Sequence, residues 1–118
     1  MTPEKEKLLF ATYPIFDRTH ERFRTGFNCE DGWFGLISEI AKWLPYANFS
    51  GLKIVGVKEK FGRIIIDFRN SDKDEVLAIS NILDGYTEYS ATICEQCGEF
   101  KNPLRDHCKS MNAFQPRG

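Results

Sequence analysis

Two cysteines separated by two residues are the part of this sequence best suited to chemistry. Cys94 and Cys97 are followed directly by Gly98. Thiolates at this spacing can bind one soft metal ion from a single tight turn. The glycine favours such a turn, because a residue without Cβ adopts the left-handed backbone conformation at little cost. Residues 93–110 are therefore predicted to form a zinc-knuckle-like turn.

A closed structural zinc site needs four ligands, and the later part of the chain supplies only two more candidates. Cys108 is the predicted third ligand, and the fourth is His107 or Cys29. His107 and Cys108 are adjacent in sequence, which disfavours their binding the same ion. The predicted cofactor is zinc, in a structural role.

Redox and disulfide roles for these cysteines are less well supported by the sequence. A redox Cys-x-x-Cys normally lies at a helix N-terminus that lowers the thiol pKa, whereas this pair follows the predicted end of a helix. Disulfides suit secreted proteins, and the first residues lack the apolar stretch of an export signal. Buried, unreactive thiols remain the alternative to zinc.

Length and charge set the outer limits of function. The 118 residues fit a single domain, residues 1–118, and 16 basic against 17 acidic side chains give a net charge of -1. Such a balance exerts no general attraction on phosphate backbones or anionic lipid. No apolar run approaches the ~20 residues that span a bilayer. We expect a cytoplasmic protein that does not bind membranes.

Hydrophobic periodicity and turn signals predict an α+β domain with helices packed on one face of a small antiparallel sheet. The predicted elements are three helices and one hairpin: helices 4–12, 31–44 and 72–90, and hairpin 52–69. Thr2 is the expected cap of the first helix, and Ser71 with Asp74 forms a capping-box variant for the third. The predicted core comprises Trp33, Ile37, Ile40, Leu44, Ile64, Ile66, Phe68, Ile79 and Leu83.

A charged, glycine-containing break separates the two predicted strands. Lys58, Lys60 and Arg63 surround Phe61 there. If the ring is exposed, these residues can track a phosphate backbone while the ring stacks on a base. If the ring folds back into the core, the break is a solubilising hairpin tip. Glu59 and the overall charge favour the solubilising tip. A zinc-knuckle module that binds nucleic acid is therefore kept as the alternative function.

No complete catalytic set is recognisable in the sequence. Cys29 directly precedes Glu30 and Asp31, whose charges oppose formation of a thiolate. His20 lies among charged residues and is expected on the surface. There is no glycine-rich phosphate loop and no serine in an elbow context. The sequence therefore favours a non-enzymatic function.

Aromatic residues are abundant for a chain of this size, with ten Phe, four Tyr and two Trp. Several lie near the ends of predicted elements, namely Trp33, Trp43, Tyr46, Phe49, Tyr86 and Tyr89. They either fill the core or form an exposed patch that binds another protein. Aromatic side chains and near-neutral charge suit a protein partner better than phosphate.

Three segments, 29–37, 57–63 and 94–98, read C-E-D-G-W-F-G-L-I, V-K-E-K-F-G-R and C-E-Q-C-G. Their combination in this order resembles a family of small uncharacterised proteins of bacteriophages and bacterial genomes, over roughly residues 4–108. In similar proteins a Cys-x-x-His pair follows the cysteine turn. Cys108 matches that cysteine, but Met111 stands where the histidine would be. The resemblance implies a phage or prophage origin, and we expect a binder of a host protein, such as an inhibitor of a defence or replication enzyme.

Overall fold

The computed structural model of this chain describes residues 1–101 and confirms an α+β fold. Its main elements are the helices α1 (Pro3–Thr12), α2 (Phe34–Trp43) and α3 (Val76–Ser90), and the antiparallel strands β1 (Lys53–Lys60) and β2 (Arg63–Arg69). Short 3-10 turns precede α2 and α3, at Asp31–Trp33 and Lys73–Glu75. Within residues 1–101, no helix combines the length and apolar character needed to cross a membrane.

The helix starts differ in detail from those predicted. Pro3 occupies the first turn of α1, but the side chain of Thr2 makes no capping hydrogen bond. Before α3, the carboxylate of Asp72 accepts the Asp74 N–H at 2.8 Å, so Asp72 and not Ser71 is the cap. Ser71 is engaged elsewhere, because its N–H donates to the Ser50 carbonyl oxygen at 2.8 Å.

The predicted core is largely confirmed. Seven of its members are buried, namely Trp33, Ile37, Ile40, Leu44, Ile64, Ile79 and Leu83. Ile66 and Phe68 are only half-buried and pack against this core. Both lie in β2, where one helix, α3, packs along the strand.

The hairpin lies at Lys53–Arg69, within the predicted 52–69, but its turn is tighter than expected. The strands extend to Lys60 and from Arg63, which leaves only Phe61 and Gly62 in the turn. Both turn residues have positive φ, +53° and +77°, as a type I′ turn requires. A register shift after Ile54 marks a β-bulge in β1.

Both edges of the two-stranded sheet are partly covered by other segments. On the β1 side, the backbone of Ile54 bonds to residues 15 and 17, and Asn28 exchanges hydrogen bonds with Val57 and Glu59. On the β2 side, the buried hydroxyl of Ser90 accepts the Ile64 N–H at 2.8 Å. These contacts attach the N-terminal third of the chain and α3 to the sheet.

Four phenylalanines, a quarter of the sixteen aromatic residues, pack together. Phe10, Phe16, Phe23 and Phe27 form one cluster with ring centroids 5.1–6.1 Å apart, mostly in edge-to-face geometry. Such pairs add stabilisation beyond the area they bury. The cluster links α1 to residues 16–27, and its rings belong to the core or pack against it.

Candidate functional site

The cysteine turn, residues 94–98, has a defined backbone. Gly98 has φ +82°, and its N–H donates to the Cys94 carbonyl oxygen at 2.8 Å. The flanking residues pair in antiparallel fashion, with an Ile93–Phe100 bridge and a Lys101 N–H to Thr92 O bond of 2.8 Å. Gly98 therefore has the left-handed conformation, within a small closed loop.

The cysteine turn docks on residues 30–33. The Gly32 N–H donates to the Glu95 carbonyl oxygen at 2.6 Å, and the Glu30 N–H donates to the Glu95 carboxylate at 2.9 Å. The buried indole of Trp33 donates to the Ile93 carbonyl oxygen at 3.1 Å. A Cβ on Gly32 would overlap the backbone of residues 94 and 95. Glycine is thus required at this contact by space.

Segment 57–63 joins the same unit through Asn28, the residue before Cys29. The Asn28 N–H donates to Val57 O, and the Glu59 N–H donates to Asn28 O, each at 3.0 Å. The three motif segments, 29–37, 57–63 and 94–98, therefore lie together around one backbone junction. The sequence showed their order but gave no sign of this contact, apart from a glycine in each segment.

Burial shapes the electrostatics of the junction. Burial raises the pKa of the Cys29 thiol to about 12, and the carboxylates of Glu95 and Glu30 act in the same direction. Burial also raises the pKa of Glu95, with Glu59 and Glu30 adding repulsion. A thiol protonated at neutral pH is a poor nucleophile, so Cys29 is suited to packing rather than catalysis.

The metal prediction is only partly covered by the described residues. Within residues 1–101, no three His, Cys, Asp or Glu side chains come together as a metal ion requires, and this holds for Cys29, Cys94 and Cys97. Cys108 and His107 lie outside the described residues. Zinc at the cysteine turn stays a prediction.

Comparisons with known proteins gave no match. No family model, curated protein or solved structure matches this chain.

The predicted aromatic patch is divided in the structure. Trp33 is fully buried and contributes to the core rather than to a surface. Tyr86 and Tyr89 line a groove of about 440 Å³ beside Gly35 and Gly98. Trp43 and Tyr46 form a separate exposed pair, 50% and 74% accessible.

This exposed pair stands at the end of α2, and Leu44 and Pro45, which lie between its members in sequence, line a mainly apolar cleft of about 450 Å³. The ring centroids of Trp43 and Tyr46 are 5.6 Å apart, and the Trp43 indole is fixed by a 2.8 Å hydrogen bond to the Glu39 carboxylate. The cleft is lined by Pro14, Ile15, Ala41, Leu44, Pro45, Asn48, Phe49, Gly51, Leu52 and Lys53. We call the exposed pair and this cleft the aromatic cleft.

The hairpin tip, residues 60–63, resolves the two interpretations of Phe61. Its ring is 87% exposed, so the expectation that it folds back into the core is wrong. The type I′ turn directs the residue outward, with the Lys60 ammonium 5.9 Å from the ring centroid. The cations predicted to accompany it, Lys58, Lys60 and Arg63, are all on the surface.

Proposed function

We propose that this chain is a non-enzymatic binding domain that occupies a surface of a partner protein through the aromatic cleft. The observation that carries the proposal is the pair Trp43 and Tyr46, held side by side and exposed, with the intervening Leu44 and Pro45 lining a mainly apolar cleft. Trp and Tyr dominate the binding energy of protein interfaces when they enter pockets on the partner.

The geometry of the pair suits recognition. The Glu39 carboxylate holds the indole of Trp43 by its only donor, and the Lys42 ammonium lies 5.0 Å from the Trp43 ring. A ring fixed before binding loses little side-chain entropy when a partner covers it. The adjacent cleft can in turn accept an apolar side chain of the partner.

The resemblance to phage and bacterial proteins supports a bacterial host protein as the partner, with a defence or replication enzyme as the expected class. An inhibitor of this kind needs no catalytic residues of its own. The buried Cys29 thiol, with its raised pKa, agrees with this role.

The test places a photo-crosslinking residue at position 46 and, as a matched control, at position 77. Leu77 lies on α3 and is exposed to nearly the same extent as Tyr46, 72% against 74%. In host lysate, crosslinking from position 46 should yield one dominant adduct that position 77 does not.

Measuring the affinity for the identified partner then shows how much each aromatic side chain contributes to binding. Trp43→Ala and Tyr46→Ala should each weaken binding by about 2 kcal/mol, roughly thirtyfold. Leu77→Ala should leave it within twofold. The affinity should change little between low and physiological salt, because the contact is mainly apolar. Equal losses in all three variants would contradict the proposal, as would catalytic turnover that depends on Cys29.

A further inference from the structure

The backbone of the hairpin tip is strained where its ring is exposed. Phe61 has φ +53°. This left-handed conformation costs a residue with Cβ about 1–2 kcal/mol relative to the right-handed one. Type I′ turns normally place Asn, Asp or Gly at this position. The isolated chain thus carries a strained residue and a large apolar side chain in water at the same point. Strain of this kind is concentrated at functional positions.

Positive charge gathers on one face of the tip. Because side chains alternate along a strand, Lys58 and Lys60 share the face opposite the buried Val57, and Arg63 pairs with Lys60 across the turn. A Cβ on Gly62 would lie 3.7 Å from the Lys101 ammonium, which brings a fourth cation to the turn.

Glu59, the acidic residue of segment 57–63, offsets only part of this positive charge. Glu59 belongs to the opposite face, and its carboxylate accepts the Gly62 N–H at 2.7 Å, which closes the turn. Within residues 1–101, neither Lys58 nor Lys60 takes part in an ion pair. Arg63 lies 3.6 Å from Glu88, but both side chains are exposed, and such pairs are weak in water.

Towards the other end of the hairpin the cations are matched by carboxylates. Arg22 lies 3.8 Å from Asp67, and Arg69 lies 3.1 Å from Asp17. The net positive charge is therefore concentrated around the Phe61 ring.

We propose that the hairpin tip is a contact for single-stranded nucleic acid, in which Phe61 stacks on a base while Lys58, Lys60 and Arg63 bind the adjacent phosphates. An exposed ring among cations is the recurrent element of single-strand binding without sequence preference. A duplex offers no exposed base face away from its ends, and a single ring gives little apolar area for insertion into a membrane. This activity goes beyond protein binding at the aromatic cleft.

The two surfaces can be occupied together. Lys53, at the start of β1, lines the aromatic cleft, and Lys60, at its end, begins the tip. An eight-residue strand spans ~26 Å at ~3.3 Å per residue. A failure of one binding activity therefore leaves the other testable.

The experiment measures fluorescence anisotropy of a labelled oligothymidylate with the full chain, at about 50 and about 200 mM salt. With three phosphate contacts, the affinity should fall about eighteenfold over that range, because each contact to a single strand contributes about 0.7 to the salt slope. Lys58→Glu with Lys60→Glu should abolish binding. Lys7→Glu with Lys73→Glu changes the net charge equally at other exposed positions and should retain most of the affinity.

Phe61→Asn provides the second arm, since it creates the Asn-Gly sequence that type I′ turns prefer. The variant should be at least as stable as the wild type yet bind the oligonucleotide at least fivefold more weakly, the lower limit for loss of one stacked base.

The proposal is overturned by the absence of saturable binding at low salt, or by equal losses in the two charge-reversal variants. Unchanged affinity of Phe61→Asn would also overturn it. So would binding to vesicles of phosphatidylserine and phosphatidylcholine, in a one to three ratio, without binding to the oligonucleotide.

Discussion

Replacing Gly32 by alanine tests whether the cysteine turn is held by the junction described above. The new methyl group would overlap the backbone carbonyl oxygens of Cys94 and Glu95, which are not flexible side-chain ends. The cysteine turn would have to move away from residues 30–33. Gly35→Ala is the matched control, because a Cβ there meets nothing within 4 Å.

The expected magnitude combines the steric overlap with the two hydrogen bonds that would break. Overpacking costs about 1–3 kcal/mol in general. The hydrogen bond from the Gly32 N–H to Glu95 O adds about 1 kcal/mol, and the exposed bond from the Glu30 N–H to the Glu95 carboxylate adds less. Gly32→Ala should lower the free energy of unfolding by about 3 kcal/mol. Gly35→Ala should raise it by up to about 1 kcal/mol, since alanine favours helix over glycine.

Urea unfolding gives the two free energies, and amide hydrogen exchange shows where the change lies. In Gly32→Ala, exchange should speed up at the Gly98 N–H, which the cysteine turn holds in the wild type. A Gly32→Ala free energy within about 0.5 kcal/mol of the wild type, or unchanged protection at Gly98, would refute the proposed docking.

Three further predictions concern stability, pH and metal. Ser90→Ala leaves the buried Ile64 N–H without an acceptor, which should cost about 1–3 kcal/mol in urea unfolding, with Ser80→Ala on the same helix as a nearly neutral control. Burial raises the pKa of Glu95, so the folded state holds this proton more tightly than the unfolded state. The stability of Glu95→Gln relative to wild type should therefore increase as pH rises from 4.5 through the folded pKa, and then level off. A constant stability difference across that range would contradict the raised pKa of Glu95. Elemental analysis of protein purified without chelator should find about one zinc per chain, and chelation should speed exchange in residues 93–101 without changing oligonucleotide binding; well under one zinc, with titratable thiols, would refute it.

Hydrophobic periodicity predicted much of the fold. The stripe of α2 and the alternation of β2 are local patterns, so Ile37, Ile40 and Ile64 could be assigned to the core from sequence. Ser71 and Asp72 could not be distinguished as caps, because both residue types serve and the choice depends on a distant bond to Ser50.

The candidate sites were harder to predict because they depend on contacts between distant segments. The position of Phe61 followed from a turn type that a Phe-Gly pair does not signal. The docking of Gly32 on Glu95 joins residues 63 positions apart, and no local pattern reports it. Tyr46 could be named as an interface candidate, but its exposure could be known only once the end of α2 was placed.

The covering of the sheet edges limits the ways in which a partner can engage this chain. Recognition by strand addition requires a row of unpaired backbone groups along an edge. Here Ile54, Val57 and Glu59 use theirs on one side, and Ile64 uses its N–H on the other. At these positions a visiting strand, whether from a partner or from a second copy, would find no ladder to extend. Recognition there must come from side chains, and the same arrangement guards against edge-to-edge aggregation.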